Sequence, residues 1–196
     1  MPGKEEVAMP EFTVHTEESA PAASKPIIGQ VKATFGMLPN LMATLAESPA
    51  AIEGYSTLMG IYEKSDLTPT EKQIILMTNN RLNGCTYCMA AHSAASKLQG
   101  VPNDVIAALR SGSSLGDAKL EALRSFTEAM FVTRGNVSDA DADAFLAAGY
   151  TKANLLEVVL GTALKVLSNY SNKFTNAPVD RSFQRFAWSA TEEASA

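Results

Sequence analysis

Helix punctuation recurs along this chain, and strand patterns are absent from it. Ser48-Pro49 and Thr68-Pro69-Thr70-Glu71 each set a capping hydroxyl before a proline at the first helical position. The second also supplies the glutamate of a capping box. Ser138 and Thr151 are further N-caps, and Gly36, Gly135 and Gly149 stand where helices should end. The punctuation predicts helices over about 26–36, from Pro39, over 49–63, from Pro69 to the Asn83-Gly84 break, and over 85–98. Further helices are predicted over 104–110 and 117–133, and after Ser138 and Thr151. The Ile74-Ile75-Leu76-Met77 run covers a whole turn, so its helix should be buried on most sides. In the last helix Leu155, Leu156, Val158, Val159, Leu160, Leu164, Val166 and Leu167 read as the core stripe. The expected class is all-α.

A chain of 196 residues with 46% hydrophobic and 19% charged residues has ample material for one globular core. Residues 1–25 are rich in Glu, Pro, Ala and Ser and read as an arm, either mobile or docked on a neighbour. Residues 26–190 then form a single helical domain. A net charge of −5 with no Lys/Arg cluster argues against a general nucleic-acid binder. No apolar run is long enough for a membrane span, and the N-terminus lacks the apolar core of a signal peptide. The expected location is the cytoplasm, where a cysteine pair is catalytic or metal-binding more often than a permanent crosslink.

The chemistry-bearing segment is Cys85-x-x-Cys88-x-x-x-His92. It holds both cysteines and one of the two histidines, and helical spacing puts all three on one face. A dithiol beside a base can cycle between thiolate and disulfide. The helix N-terminus at Cys85 favours negative charge, and His92 could take the Cys88 proton directly or through water. Cys88 is therefore the expected attacking thiolate. Cys85, at an exposed helix start, is the expected resolving thiol and the entry point for a reductant. Two competing readings remain. Two Cys and one His can bind zinc, but a closed structural site needs four ligands, and the other histidine, His15, lies in the arm. The thiols could also be plain core residues.

The segment LTPTEKQIILMTNNRLNGCTYCMAAHSAASKLQG, over residues 67–100, resembles the signature helix pair of the AhpD-like, or carboxymuconolactone decarboxylase, superfamily. The likeness extends over nearly all of 12–188, through FGMLPNLMATLAESPAAIEGY, RGNVSDADADAFLAAGYTKANLLEVVLGTALKVLSNYSN and PVDRSFQRFAW, which resemble a peroxidase-related subgroup. The resemblance implies an all-α AhpD-like fold, a homo-oligomer (trimer or hexamer, with a dimer possible), and thiol-dependent reduction of hydroperoxides. It implies that Cys88 is oxidised to a sulfenic acid, that Cys85 condenses with it, and that an external dithiol restores the pair. No other cofactor is implied. A redox switch without turnover is the alternative. The decarboxylase chemistry of the superfamily's name does not carry over, because that branch lacks the cysteine pair.

Departures from the family pattern matter. Well-understood members carry a Glu twelve residues before the first cysteine, as part of a proton relay, where this chain has Gln73. Gln can orient a hydrogen bond but cannot take a proton. Glu71 points to another side of its helix and reads as the capping-box carboxylate. Glu157 interrupts an apolar stretch and is a candidate relay carboxylate, with a solvent or subunit contact as its other reading. The Asn169-Tyr170-Ser171-Asn172 stretch resembles one that is usually followed by His, whereas Lys173 stands here. That polar cluster reads as satisfying a helix end. Met77, Tyr87 and Met89 are the expected lining of a small apolar pocket.

Overall fold

The computed structural model describes residues 10–190; the beginning of the expected arm, residues 1–9, lies outside them. The helices are α1 (Lys25–Phe35), α2 (Asn40–Leu45), α3 (Pro49–Tyr62), α4 (Pro69–Leu82), α5 (Thr86–Leu98), α6 (Asn103–Ser111), α7 (Ala118–Val132), α8 (Asp139–Ala147) and α9 (Lys152–Thr175). Short 3-10 turns at Ala22–Ser24 and Gln184–Phe186 complete the described secondary structure, which contains no strand. The described residues form an all-α fold.

The capping signals work as read. Thr68 accepts the Glu71 N–H while Glu71 accepts the Thr68 N–H, closing the capping box of α4. Thr151 and Asn154 close a second capping box at α9, and the side-chain oxygens of Ser48, Asp117 and Ser138 cap α3, α7 and α8. Gly36 ends α1 at a left-handed φ of 71°, where a side chain would be strained. α4 is the central element: every residue from Glu71 to Asn80 is buried, and it packs against α5, α6, α7 and α9. Two apolar clusters flank it. One gathers α1, α2 and α3 around Cys85, Tyr87 and Cys88. The other fills the space between α4, α6, α7 and α8 and includes Met77 and Met89.

The described part of the arm docks on its own chain. His15 N–H reaches Ala43 O, and the His15 ring bonds Glu47 Oε2 at 2.8 Å. Ala20 joins the first apolar cluster, and Ser24 Oγ donates to Ala46 O at 2.7 Å.

The last helix departs from its sequence reading. Val158 and Leu164 are buried, but Leu156 is 71% exposed, with Val159, Tyr170 and Phe174 exposed beside it. The buried face instead carries Asn154, Gly161, Lys165, Ser168, Asn169 and Asn172. The helix thus turns apolar residues outward and polar ones inward. Gly161 makes the inward approach possible: a Cβ there would lie 2.7 Å from Ile75 Cγ2 and 2.9 Å from Tyr62 Cε2. This close seat on α3 and α4 brings Lys165, one turn later, to the cysteine motif.

Candidate active site

The cysteine motif starts on a sharp turn. Gly84 takes a left-handed φ of 62°, and Cys85 N–H returns to Asn80 O at 2.9 Å. Cys85 becomes the N-cap of α5, its Sγ accepting the Cys88 N–H at 3.3 Å. Sulfur thereby does the work that a Ser or Asp oxygen does at other helix starts. Both thiols are free and buried, Cys85 at 3% and Cys88 at 2% exposure. The helix start was expected to be exposed. It lies instead under α1–α3, because the first apolar cluster closes over it.

A buried amide network fixes this turn to the rest of the fold. Asn80 Nδ2 donates to Cys88 O at 3.2 Å, and Asn169 Nδ2 donates to Asn80 Oδ1 at 2.9 Å. Asn83 Nδ2 donates to Asn169 Oδ1 at 3.0 Å. Three helices are thus joined at the motif by groups that burial forces to find partners. Asn169 was read as satisfying a helix end; it lies a full turn or more inside α9 and serves the motif instead.

His92 does face the motif's side of α5, but its ring is spoken for. Nδ1 lies 2.9 Å from Gln73 Oε1, and Nε2 lies 3.0 Å from Lys165 Nζ. A glutamine oxygen only accepts, so Nδ1 carries the hydrogen and Nε2 accepts from lysine. Gln73 Nε2 donates onward to Gln99 Oε1 at 2.9 Å. The chain of hydrogen bonds runs Lys165, His92, Gln73, Gln99. Burial, and then the Lys165 charge, hold the His92 pKa well below the ordinary range, so the ring is neutral. The His92 ring makes no direct hydrogen bond to Cys88; its two nitrogens bond Gln73 and Lys165.

The two thiols are driven apart electrostatically. Burial opposes ionisation of Cys88, but the Cys85 thiol, the Lys165 charge and the Asn169 and Ser168 side chains outweigh it, bringing Cys88 down to about 7. Cys85 moves the other way, because it hydrogen-bonds to Cys88 and is itself buried. Cys88 is thus shifted toward the thiolate and Cys85 toward the thiol. Lys165, on α9, is one of the groups that lower Cys88, and the sequence expectation does not include it.

Other expected residues lie elsewhere. Glu157 Oε1 accepts the Asp66 N–H at 3.0 Å and Oε2 accepts from Asn154 Nδ2 at 2.8 Å, which ties the start of α9 to the loop before α4. It lies eight residues before Lys165 on α9, about 12 Å along the axis, too far to complete the relay. Glu71 is held by Thr68 and pairs with Lys119 at 3.3 Å. Tyr87 points away from the sulfurs, its hydroxyl donating to Asp180 Oδ2 at 2.6 Å and accepting the Leu41 N–H at 3.2 Å. Met77 and Met89 are fully buried in the second apolar cluster. The open cavity of about 400 Å³ lies instead between α1 and α3, with Val31 and Met42 in its wall. Those two residues belong to the apolar cluster that encloses both cysteines.

Lys165 was the missed residue. The signal was present: a cation between Leu164 and Val166, the same kind of interruption that singled out Glu157. Among the described residues, no three His, Cys, Asp or Glu side chains gather as metal ligands do. None of the described helices is long and apolar enough to cross a membrane.

Residues 47–129, which span the cysteine motif, match the carboxymuconolactone decarboxylase family. The AhpD-core, peroxidase-related protein of Ralstonia eutropha JMP134 superposes with a TM-score of 0.78 at 21% identity, over 90% of this chain and 96% of that one. The segment that holds the cysteine motif is thus similar to that family, and the fold around it is AhpD-like. A peroxidase-related protein from Silicibacter sp. TM1040 is similar over 93% of this chain and 97% of its own, with a TM-score of 0.74 at 18% identity. The debrominase Bmp8, as a variant in complex with 2,3,4-tribromopyrrole, has a TM-score of 0.73 at 18% identity, over 91% of this chain and 97% of that one. At these identities the likeness is one of fold. No curated protein matches the sequence.

Proposed function

We propose that this protein is a thiol-dependent peroxidase that reduces small hydroperoxides through the Cys85–Cys88 pair. The observation that carries the reading is the asymmetry of the two thiols, with Cys88 lowered to about 7 and Cys85 raised beside it. One sulfur is thereby ready to attack near neutral pH, and its neighbour keeps the hydrogen it needs as a resolving thiol. Cys88 attacks the peroxide and becomes a sulfenic acid. Cys85 condenses with it to a disulfide with loss of water, and an external dithiol returns both to the reduced state. His92 and Gln73 act here as a positioning pair. Peroxidase-related relatives of the same fold support the choice of reaction.

Both sulfurs are buried, so substrate must pass the apolar cluster, and the cavity between α1 and α3 has two of that cluster's residues, Val31 and Met42, in its wall. A pair that must return to the dithiol form suits a reducing compartment such as the cytoplasm. The exposed apolar face of α9 (Leu156, Val159, Tyr170, Phe174) supports self-association into a homo-oligomer, as the family resemblance implies. Sedimentation velocity on the full chain reads this directly, and a monomer at tens of micromolar would refute it.

The test of the activity is peroxide consumption by reduced protein with excess dithiol, followed with hydrogen peroxide and an organic hydroperoxide. Turnover that stops on Cys88→Ser, and that ends after one oxidation in Cys85→Ser, is the expected result. A single stoichiometric oxidation of the unaltered protein would sink the enzyme reading in favour of a redox switch. Turnover of a brominated pyrrole without turnover of peroxide would move the same thiol pair to reductive dehalogenation, the activity named for a relative of this fold.

A further inference from the structure

We propose that Lys165 is the charge partner of the Cys88 thiolate and the acid that protonates the departing oxygen of the peroxide. The first half stands on the structure of the reduced site. The second half rests on the hydroperoxide reading above.

Lys165 is 1% exposed, in the middle of α9, and its ammonium makes one hydrogen bond, to His92 Nε2 at 3.0 Å. Among the described residues, no carboxylate lies within ion-pair distance of it. A buried ammonium without an anion is strongly disfavoured, so the site must hold a counter-charge or the lysine must lose its proton. The groups around it narrow the choice. His92 is neutral and accepts, because Gln73 holds its Nδ1 hydrogen. Tyr55, from α3, is buried, and that burial raises its hydroxyl pKa above the ordinary value. Cys85, from the start of α5, is the hydrogen-bond donor to Cys88. Cys88 is the remaining group able to carry the negative charge. Lys165, Ser168 and Asn169 lie at i, i+3 and i+4 on α9, so one helical face presents a cation and two polar side chains to that sulfur.

This arrangement explains how the site works with Gln at position 73. A carboxylate there would draw a proton onto His92 and make an imidazolium. Glutamine leaves the ring neutral, and the positive charge moves one link along, onto Lys165. The oxidative step then balances. The Cys88 sulfur attacks the hydroxyl oxygen of ROOH, and the S–O bond forms as the O–O bond breaks. The departing RO⁻ takes a proton from the Lys165 ammonium. Sulfur loses two electrons to the peroxide, and the products are Cys88–SOH, ROH and a neutral lysine amine. The Cys85 thiol condenses with the sulfenic acid to give the disulfide and water. A dithiol reductant then returns two protons, one to Cys85 and one to Lys165, as the thiolate re-forms. Lys165 is thus charged in the dithiol form and neutral in the disulfide form.

The test is the pH profile of iodoacetamide alkylation of reduced full-length protein, with the labelled cysteine identified by mass spectrometry. It needs no peroxide. The expected midpoint for Cys88 is about 7. Lys165→Met should raise it by about one pH unit or more, slowing alkylation at neutral pH about fivefold or more, while Lys165→Arg keeps it near the unaltered value. A midpoint unchanged in Lys165→Met overturns the ion pair. Should that variant fail to fold, the ε-carbon NMR signal of Lys165 in the unaltered protein decides. An ammonium in the dithiol form and an amine in the disulfide form support the proposal, and the same state in both refutes it. Peroxide consumption is read separately. An alkylation shift with no consumption by the unaltered protein leaves the ion pair standing and refutes the acid step together with the peroxidase reading.

Discussion

Replacing Tyr87 by Phe separates what the residue between the two cysteines holds together from what the cysteines do. α2 begins after Pro39, which offers no capping side chain. Two distant groups serve instead. The Asp180 carboxylate accepts the Asn40 N–H at 3.2 Å, and Tyr87 Oη accepts the Leu41 N–H at 3.2 Å while donating to Asp180 at 2.6 Å. Burial, and then Asp180, raise the Tyr87 pKa, so the hydroxyl remains a donor across the working range. Phe keeps the ring and its edge-on packing with Phe183 but deletes this hydroxyl. The loss is one charge-assisted hydrogen bond, about 1.5–3 kcal/mol, plus one orphaned buried N–H, about 1–3 kcal/mol. Because Asp180 keeps its bonds to Asn40, the expected sum is about 3 kcal/mol, read as a fall in unfolding free energy in urea. Tyr170→Phe, at an exposed hydroxyl, is the control and should stay within about 0.5 kcal/mol. The Cys88 alkylation midpoint should not move in Tyr87→Phe. A loss under about 1 kcal/mol, or a shifted midpoint with unchanged stability, would refute the assignment of Tyr87 as a structural tie.

Stability of the reduced protein should depend on pH through Cys88. Its folded pKa is lowered to about 7 from an unfolded value near 9, so its contribution is complete above about pH 9 and lost as pH falls through 7. Unfolding free energy should therefore rise by about 1–2 kcal/mol between pH 7 and 9 in the reduced form, and not in the disulfide form or in Cys88→Ser. Cys85, raised, acts oppositely above that window, and His92, lowered, adds a further loss as pH falls below about 6.5. A flat profile for the reduced protein would contradict the thiolate. Gly161→Ala should destabilise by about 1–2 kcal/mol in thermal or urea unfolding, because the added carbon overlaps Ile75 and Tyr62 by more than the gain in helix propensity returns. A stabilised variant would show that α9 is not seated as closely as described.

What the sequence determined by itself was local. Thr68 and Glu71 cap α4, Thr151 and Asn154 cap α9, and Gly36 turns the chain out of α1, because each device acts within three or four residues. The same short range put Cys85, Cys88 and His92 on one face of α5. Only the tertiary structure decided what that face meets. Lys165 reaches His92 across 73 positions, and Asn169 reaches Asn80 across 89. Neither partner is implied by periodicity. Glu157 and Lys165 look alike in the sequence, each a charge within an apolar stretch, yet one ties a loop and the other bonds the His92 ring. The difference is the direction in which α9 faces, set by the Gly161 contact with α3 and α4. That seating also turned Leu156 and Val159 outward. An apolar stripe marks a face that avoids water, but it does not say whether this chain's own core or another surface covers it. The close seat at Gly161 and the hydrogen bonds of the polar side together fix which face of α9 meets the core, and with it Lys165 against His92 and Asn169 against Asn80.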